Sequence, residues 1–311
     1  MSSKAEIKQY NKLNELYEAL GMPIEQGAEF TIHSLLDIHK TPSFKSPVFR
    51  ANYYSFVFIR QGEGNYTTDH QTFEYVDRTV YFTNPGHLKA FEFYHLEDAY
   101  LVTLSEEFLK NNVHPDIFEQ FPFLLAETIP PQSFGEAGFS EIELYYLQIL
   151  KEYRGDSVSK YRIIGSLFVV ILLKLKEQFW SDYEPLEEGD RSSLIVKGFK
   201  RLLEQHYKDL TEGKAQTQFK AKHYAEALHL HPSYFSTVIK SKTGAPVSQW
   251  ISDKTLTQAK ALLAHSGSTI KEIGYQLGFS ETAHFSNFFK KHAGLTPSEY
   301  RMKPDTEIQG A

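Results

Sequence analysis

The C-terminal third of the chain contains an internal repeat, which limits the possible folds more than any other feature. Two eleven-residue segments, starting at Tyr234 and His284, lie fifty positions apart and are identical at four positions. Each ends a longer pattern: an amphipathic segment (Phe219–Leu228 or Thr269–Leu277), a short turn, a second amphipathic segment and a glycine. Helix, tight turn and helix in this order, occurring twice, predict two helix-turn-helix motifs.

Local signals mark the ends of these predicted helices. Thr269 and Glu272 form a capping-box pattern, in which a hydroxyl and a carboxylate satisfy free N–H groups of the first turn. Gly278 suits the left-handed conformation that a turn between helices requires. The two motifs are therefore predicted at about 219–244 and 269–294.

The segment between the motifs is predicted to be a helix of defined length. Residues 246–266 carry apolar side chains at helical intervals. A helix of about 20 residues is ~30 Å long, close to the ~34 Å of one turn of B-DNA. Two second helices joined in this way are expected to enter successive major grooves on one face of DNA. The alternative is an ordinary helical bundle.

The net charge of −6 hides an asymmetry between the two halves of the chain. Residues 1–189 hold 16 Lys and Arg against 28 Asp and Glu, whereas residues 190–303 hold 17 against 9. The balances are −12 and +8, and the last eight residues add −2. A basic segment that coincides with the doubled motif favours nucleic-acid contact by this half alone.

Particular residues of both motifs match a known family. They are Ala225, Leu228 and Pro232–Phe235 in the first motif, and Ile270, Glu272–Gly274, Leu277–Ser280, Phe285–Lys291, Gly294 and Thr296–Arg301 in and after the second. On these residues, positions ~215–302 resemble the DNA-binding domain of AraC-type (AraC/XylS) transcription regulators. Two positions depart from the family: His229 stands where glycine is usual in the first turn, and Gly274 stands where alanine is usual.

The N-terminal half has the pattern of a β-rich domain followed by helices. Between residues 29 and 104, short runs rich in Phe, Tyr, Val and Thr alternate with turn residues such as Gln61–Gly64, which predicts an antiparallel sandwich or barrel. A helix is predicted over residues 4–20. Helices over Glu141–Tyr153 and Lys160–Trp180 follow, and the second is apolar on more than one face. A second copy of the chain is the simplest cover for it, and the barrel itself is the alternative.

The resemblance implies an α+β fold of two domains. Residues 1–180 are expected to form a cupin-like β-barrel with dimerisation helices, residues 181–195 a linker, and residues 196–303 an all-α domain with a double helix-turn-helix. The expected partners are promoter DNA, RNA polymerase, a small-molecule effector in the barrel, and a second copy bound through helices 141–180. The N-terminus lacks a signal-peptide pattern, and no apolar run spans a bilayer, so a cytoplasmic location without membrane contact is expected.

Residues that contact DNA are expected on the N-terminal half of each second helix, on the face away from the core. The base-contact candidates are Ser233, Ser236, Thr237, Thr282, Ala283, Ser286 and Asn287, and the phosphate candidates are Lys240, Lys290 and Lys291. Asn287 is suited to a bidentate bond with adenine and Ala283 to a thymine methyl group. The inward-facing residues are expected to be Phe235, Val238, Ile239, Phe285, Phe288 and Phe289.

No catalytic constellation is found. The predicted barrel contains His33, His39, His70, His87 and His95 but no His-x-His pair, so neither a metal site nor a cofactor is expected. The chain has no cysteine, which excludes thiol chemistry. A sequence-specific DNA-binding regulator, expected to be an activator controlled by an effector in the barrel, is therefore favoured over an enzyme. The alternatives are a regulator whose barrel serves only dimerisation or protein contacts, and a cupin-type enzyme with an accessory helical domain.

Overall fold

The computed structural model describes residues 7–22, 24–25, 27–68, 71–114, 116–125, 130–179 and 191–302. They divide into an N-terminal unit, residues 7–179, and a C-terminal unit, residues 191–302. Most of the predicted linker lies outside the described residues. Its last five residues are helical and bury Ile195 in the C-terminal core, so the prediction of a linker is wrong there.

A single sheet forms the centre of the N-terminal unit. Its strands are β1 (Lys8–Tyr10), β2 (Phe30–Ser34), β3 (Phe44–Lys45), β4 (Phe49–Ala51), β5 (Tyr54–Thr68), β6 (Gln71–Tyr75), β7 (Thr79–Thr83), β8 (Leu88–Leu104) and β9 (Gln132–Ser133). The order is β1-β4-β8-β5-β7-β9, with β2 and β3 also paired to β8 and β6 to β5. Pairing is antiparallel except between β1 and β4. The β-rich N-terminal half is thus confirmed, and closure into a cupin-like barrel stays a prediction.

The long strands β5 and β8 run through positions that the sequence suggests as breaks. The turn predicted at Gln61–Gly64 is wrong, since these residues lie inside β5, where the register to β8 shifts. A Cβ atom at position 64 would lie 2.1 Å from the carbonyl oxygen of Glu92. Gly64 is therefore required by the close approach of the two strands rather than by a turn.

Helices cover part of this sheet. They are α1 (Leu13–Ala19), α2 (Leu35–His39), α3 (Glu106–Phe108), α4 (Ile117–Gln120), α5 (Glu136–Tyr153) and α6 (Lys160–Phe179), with a π-helical turn at Leu109–Val113 and a 3₁₀ turn at Pro122–Leu125. The single helix predicted over 4–20 is only partly correct. Residues Lys8–Tyr10 instead pair with Phe49–Ala51, because an extended segment satisfies its backbone groups on the sheet edge.

Helix α6 is covered on its broad apolar face by residues of its own chain. Phe168 lies edge-on to Phe56 of β5, with ring centroids 5.0 Å apart. Ile171, Leu172 and Leu175 are fully buried in the cluster that joins the sheet to α5 and α6. The breadth of this face therefore follows from the packing against the sheet, which was the alternative to a second copy. Exposed apolar residues remain elsewhere on α6.

The C-terminal unit is entirely helical within the described residues. Its helices are α7 (Arg191–Thr211), α8 (Ala221–Ala227), α9 (Pro232–Thr243), α10 (Val247–His265), α11 (Ile270–Gln276), α12 (Thr282–Ala293) and α13 (Pro297–Met302). The predicted helix pairs and connecting helix are confirmed. One apolar cluster joins all of these helices. No helix in the described ranges has both the length and the apolar content needed to cross a membrane.

Candidate nucleic-acid interface

The first helix-turn-helix motif consists of α8, a turn and α9. The turn residue His229 adopts a positive φ of 55°, as expected where the family usually has glycine; histidine tolerates this conformation better than β-branched residues do. Pro232 occupies the first turn of α9, and the His231 ring accepts the backbone N–H of Ser233. Gly244 ends α9 in the left-handed conformation, with φ 78°.

The second motif consists of α11, a turn and α12. The capping box is confirmed: the Glu272 N–H donates to the Thr269 hydroxyl over 3.2 Å, and the Thr269 N–H donates to the Glu272 carboxylate over 2.6 Å. The N–H and the hydroxyl of Thr269 both donate to the Glu272 carboxylate, and these two bonds lower the pKa of Glu272 below its ordinary value of 4.5. Gly274 lets α12 approach, since a Cβ there would lie 3.2 Å from Cβ of Phe285.

The apolar faces of α9 and α12 anchor both helices in the core. Phe235 and Ile239 of α9 are fully buried, as are Phe285 and Phe289 of α12. These inward orientations are confirmed. Phe288, also predicted to face inward, is only half-buried, because it lies at the edge of the core between Phe279 and His292.

The opposite faces carry the predicted DNA-contacting residues. Ser233, Thr237, Ala283 and Asn287 are exposed, Ser236, Thr282 and Ser286 are half-buried, and Lys240, Lys290 and Lys291 are exposed. The Thr237 hydroxyl donates to the Ser233 carbonyl over 2.9 Å, so this hydroxyl already has a partner within α9. Each second helix thus presents a small polar surface with lysines towards its C-terminal end.

Helix α10 connects the motifs and is fixed at both ends. The Trp250 indole donates to the Thr243 hydroxyl of α9 over 3.0 Å. Near the other end, the Arg301 guanidinium of α13 donates to the Leu263 carbonyl of α10 over 3.4 Å and to the Ser268 carbonyl, just after α10, over 2.7 Å. The 19 residues of α10 make a helix ~28 Å long. The spacing between the two motifs is therefore held by a helix with side-chain anchors at each end.

Sequence reasoning missed helix α7 and its contact with the first motif. The guanidinium of Arg191 lies 5.8 Å from the ring centroid of the exposed Tyr234 on α9. Apolar residues four positions apart, Ile195, Phe199 and Leu203, are a helical signal that could have found α7. This helix also places Arg191 beside the candidate interface.

Comparison with known proteins assigns the family. The profile described as "Helix-turn-helix domain" matches residues 224–303. The uncharacterized HTH-type transcriptional regulator YobQ of Bacillus subtilis is 30% identical over 211 residues, which cover 60% of this chain and 88% of YobQ. The chain belongs to the AraC/XylS family of transcription regulators. It is a DNA-binding transcription regulator.

Two further comparisons concern parts of this AraC/XylS chain. The arabinose operon regulatory protein of Escherichia coli is 33% identical over 94 residues, covering 30% of this chain and 32% of that protein. The structure of ToxT from Vibrio cholerae aligns with 88% of this chain and 98% of its own, at 13% identity and a TM-score of 0.35.

Proposed function

We propose that the protein binds one double-stranded promoter site in the cytoplasm by inserting α9 and α12 into successive major grooves. The observation that carries this proposal is the pair of helices with buried apolar faces and exposed polar faces, separated by the 19-residue helix α10. The ~28 Å length of α10 is about 6 Å shorter than the ~34 Å repeat of B-DNA.

The exposed and half-buried candidate residues of the two helices suit different parts of DNA. Asn287 can form a bidentate bond with adenine, and the exposed Ala283 can contact a thymine methyl group. The hydroxyls of Ser233, Ser236, Thr237, Thr282 and Ser286 read bases less strictly or contact phosphate. Lys240, Lys290 and Lys291 contribute charge to the phosphate backbone, which supplies affinity without sequence preference.

The experiment selects binding sites for the full chain from a randomised duplex pool and then measures affinity by fluorescence anisotropy. Asn287→Ala is expected to weaken binding to the selected site by about 1–3 kcal/mol and to reduce the base preference at one position. Lys290→Ala is expected to weaken binding to all DNA sequences equally and to reduce the slope of log affinity against log salt concentration by about one. Gln249→Ala is the control, since this exposed amide of α10 bonds within its own helix. Unchanged sequence preference in Asn287→Ala would show that Asn287 does not read a base.

We further propose that the N-terminal unit binds a small-molecule effector, and that the effector controls how the protein activates transcription by RNA polymerase. Support comes from its interior, where the Tyr53 hydroxyl is buried and has no hydrogen-bond partner among the described residues. A buried polar atom without a partner is rare unless a ligand or water satisfies it. The alternative function for this unit is dimerisation or protein contact alone.

The two alternatives differ in how DNA binding responds to small molecules. The protein is unfolded in urea, dialysed and refolded, and its DNA affinity is measured with and without deproteinised cell extract. The effector proposal is supported if the extract changes the DNA affinity of the wild type and if this change is smaller in Tyr53→Phe. An affinity that never changes supports the scaffold alternative. A reporter gene behind the selected site then distinguishes activation from repression.

Homodimerisation through residues 141–180 is part of the proposal. Helix α6 exposes Ile163 and Leu173, and α5 exposes Leu144, each by more than a third. Residues 163, 166, 170, 173 and 177 follow the three- and four-residue spacing at which two helices of identical chains can pack. Sedimentation should find a dimer for the wild type and a monomer for Leu173→Glu. Glu177→Gln, at the end of the same stripe, is the control. A wild type that remains monomeric at micromolar concentration would contradict this proposal.

A further inference from the structure

Two glutamine side chains connect the C-terminal end of α7 and the loop after it to the end of α11 in the second helix-turn-helix motif. The Gln276 amide of α11 donates to the carbonyl of Thr211, the last residue of α7, over 2.7 Å. The Gln218 amide, in the loop after α7, donates to the Leu277 carbonyl over 2.8 Å. Leu277 is the C-cap residue, which directly follows the last residue of α11. We name this pair of hydrogen bonds the glutamine brace.

The loop that carries Gln218 is itself fixed to α7. The N–H groups of Lys214 and Ala215 both donate to the Asp209 carbonyl, over 2.7 and 3.0 Å. The Phe219 N–H donates to Nε2 of His206 over 3.0 Å, and the two rings stack with centroids 3.8 Å apart. The loop therefore acts as a firm extension of α7.

The brace reaches the second recognition helix through the turn. A Cβ atom at Gly278 would lie 2.7 Å from the backbone nitrogen of Gln218, so the loop and the turn are in direct contact. Phe279, the next residue, packs on Phe285 and Phe288 of α12, with ring centroids 5.4 and 5.5 Å apart. A shift of the loop would therefore be transmitted to α12.

The first motif meets α7 in a different way. Ala227, the last residue of α8, occupies the place that Gln276 has at the end of α11. Contact with α7 is made instead at Gly198, where a Cβ atom would lie 2.9 Å from Cδ2 of Leu228. Positions 198 and 211 are ~20 Å apart along the helix axis. Helix α7 thus touches the turns of both motifs at separated points.

We propose that Gln218 and Gln276 are positioning residues that set the placement of α12 relative to α9 through α7. This proposal rests on the proposed insertion of α9 and α12 into successive grooves. A helix linked only through α10 can pivot about its end, and a second connection at α7 removes that freedom. The brace therefore fixes the spacing between the two DNA segments that the protein accepts.

The test measures how affinity depends on the distance between the two contacted DNA segments. Duplexes selected by the wild-type full chain are remade with one or two base pairs inserted or deleted between these segments. Gln276→Met and Gln218→Met keep the length of the side chain and remove the donor, and Gln249→Met is the matched control. Each brace variant is expected to lose about 3- to 10-fold affinity at the native spacing, the effect of one hydrogen bond. On altered spacings the variants should lose less than the wild type does.

A flatter dependence on spacing in the brace variants supports the proposal. An equal loss of affinity at every spacing, or no loss, overturns it, because a general loss of stability would act on all duplexes alike. Amide hydrogen exchange of the DNA-free protein gives a second test: the brace variants should exchange faster within residues 270–294 and be unchanged within 221–243. Unchanged exchange in both segments also overturns the proposal. If the wild type selects no DNA sequence, the proposed function fails, and the exchange result still decides on the brace.

Discussion

Replacing Gly278 by alanine should destabilise the C-terminal unit more than the same change at Gly294. Both glycines are left-handed, with φ of 80° and 77°, and an alanine in this conformation costs about 1–2 kcal/mol at either site. The surroundings differ. A Cβ at position 278 would lie 2.7 Å from the backbone nitrogen of Gln218, whereas at position 294 nothing lies within 4 Å. Overpacking against backbone adds about 1–3 kcal/mol, and this addition should appear at position 278 alone.

The assay uses one tryptophan as a reporter of the C-terminal unit. The chain has two tryptophans, Trp180 and Trp250, so a Trp180→Phe background leaves the indole that contacts Thr243. Urea unfolding followed by its fluorescence gives the free energy of unfolding from the midpoint and slope. We expect losses of about 1–2 kcal/mol for Gly294→Ala and about 2–5 kcal/mol for Gly278→Ala.

Equal losses at the two positions would refute this reasoning. They would mean that the loop after α7 yields to an added methyl group without strain. The close approach of Gln218 to the turn would then contribute nothing to stability, and only the backbone conformation would matter.

Two further predictions concern other parts of the chain. Gly165→Ala should destabilise the N-terminal unit by about 3 kcal/mol or more, because its Cβ would lie 1.9 Å from the Asn112 carbonyl oxygen; thermal unfolding by circular dichroism checks this against the exposed Ser166→Ala. The pKa values of Glu272 and Glu299 are lowered by bonds from Thr269 and Thr296. These carboxylates therefore add stability above their ordinary pKa of 4.5, which is lost as pH falls through the lower folded values. Between pH 4.5 and these lower pKa values, a Thr269→Ala/Thr296→Ala double variant should lose less stability than the wild type.

The C-terminal helices could be predicted because their signals are local. The Thr269–Glu272 capping box is satisfied by residues three positions apart, and Gly294 ends α12 in the left-handed conformation. The spacing of the apolar residues in α12 correctly predicted that Phe285 and Phe289 face the core. Phe288 was also predicted to face inward, but its partial burial could not be predicted, since periodicity gives the direction of a side chain and not the width of the core beneath it.

The contacts between distant segments could not be predicted in this way. Gln218 and Leu277 are 59 positions apart, and the sequence does not distinguish this glutamine from exposed ones such as Gln249. Gly64 has a similar ambiguity, because glycine marks both turns and close backbone approaches. Only the pairing of β5 with β8 decides between the two.

The positive charge of the C-terminal segment is divided between the fold and the surface. Lys197, Lys200 and Lys254 are each less than a tenth exposed. The Lys254 ammonium bonds to the Glu204 carboxylate, and that of Lys200 lies 5.3 Å from the Trp250 ring centroid. Lys254 and Lys200 thus contribute to the packing of α7 against α10 rather than to a surface that DNA can reach. The slope of log affinity against log salt concentration is about −0.9 for each phosphate that the protein neutralises. This slope should therefore reflect the number of exposed lysines on α9 and α12, and not the net charge of +8 that the segment carries.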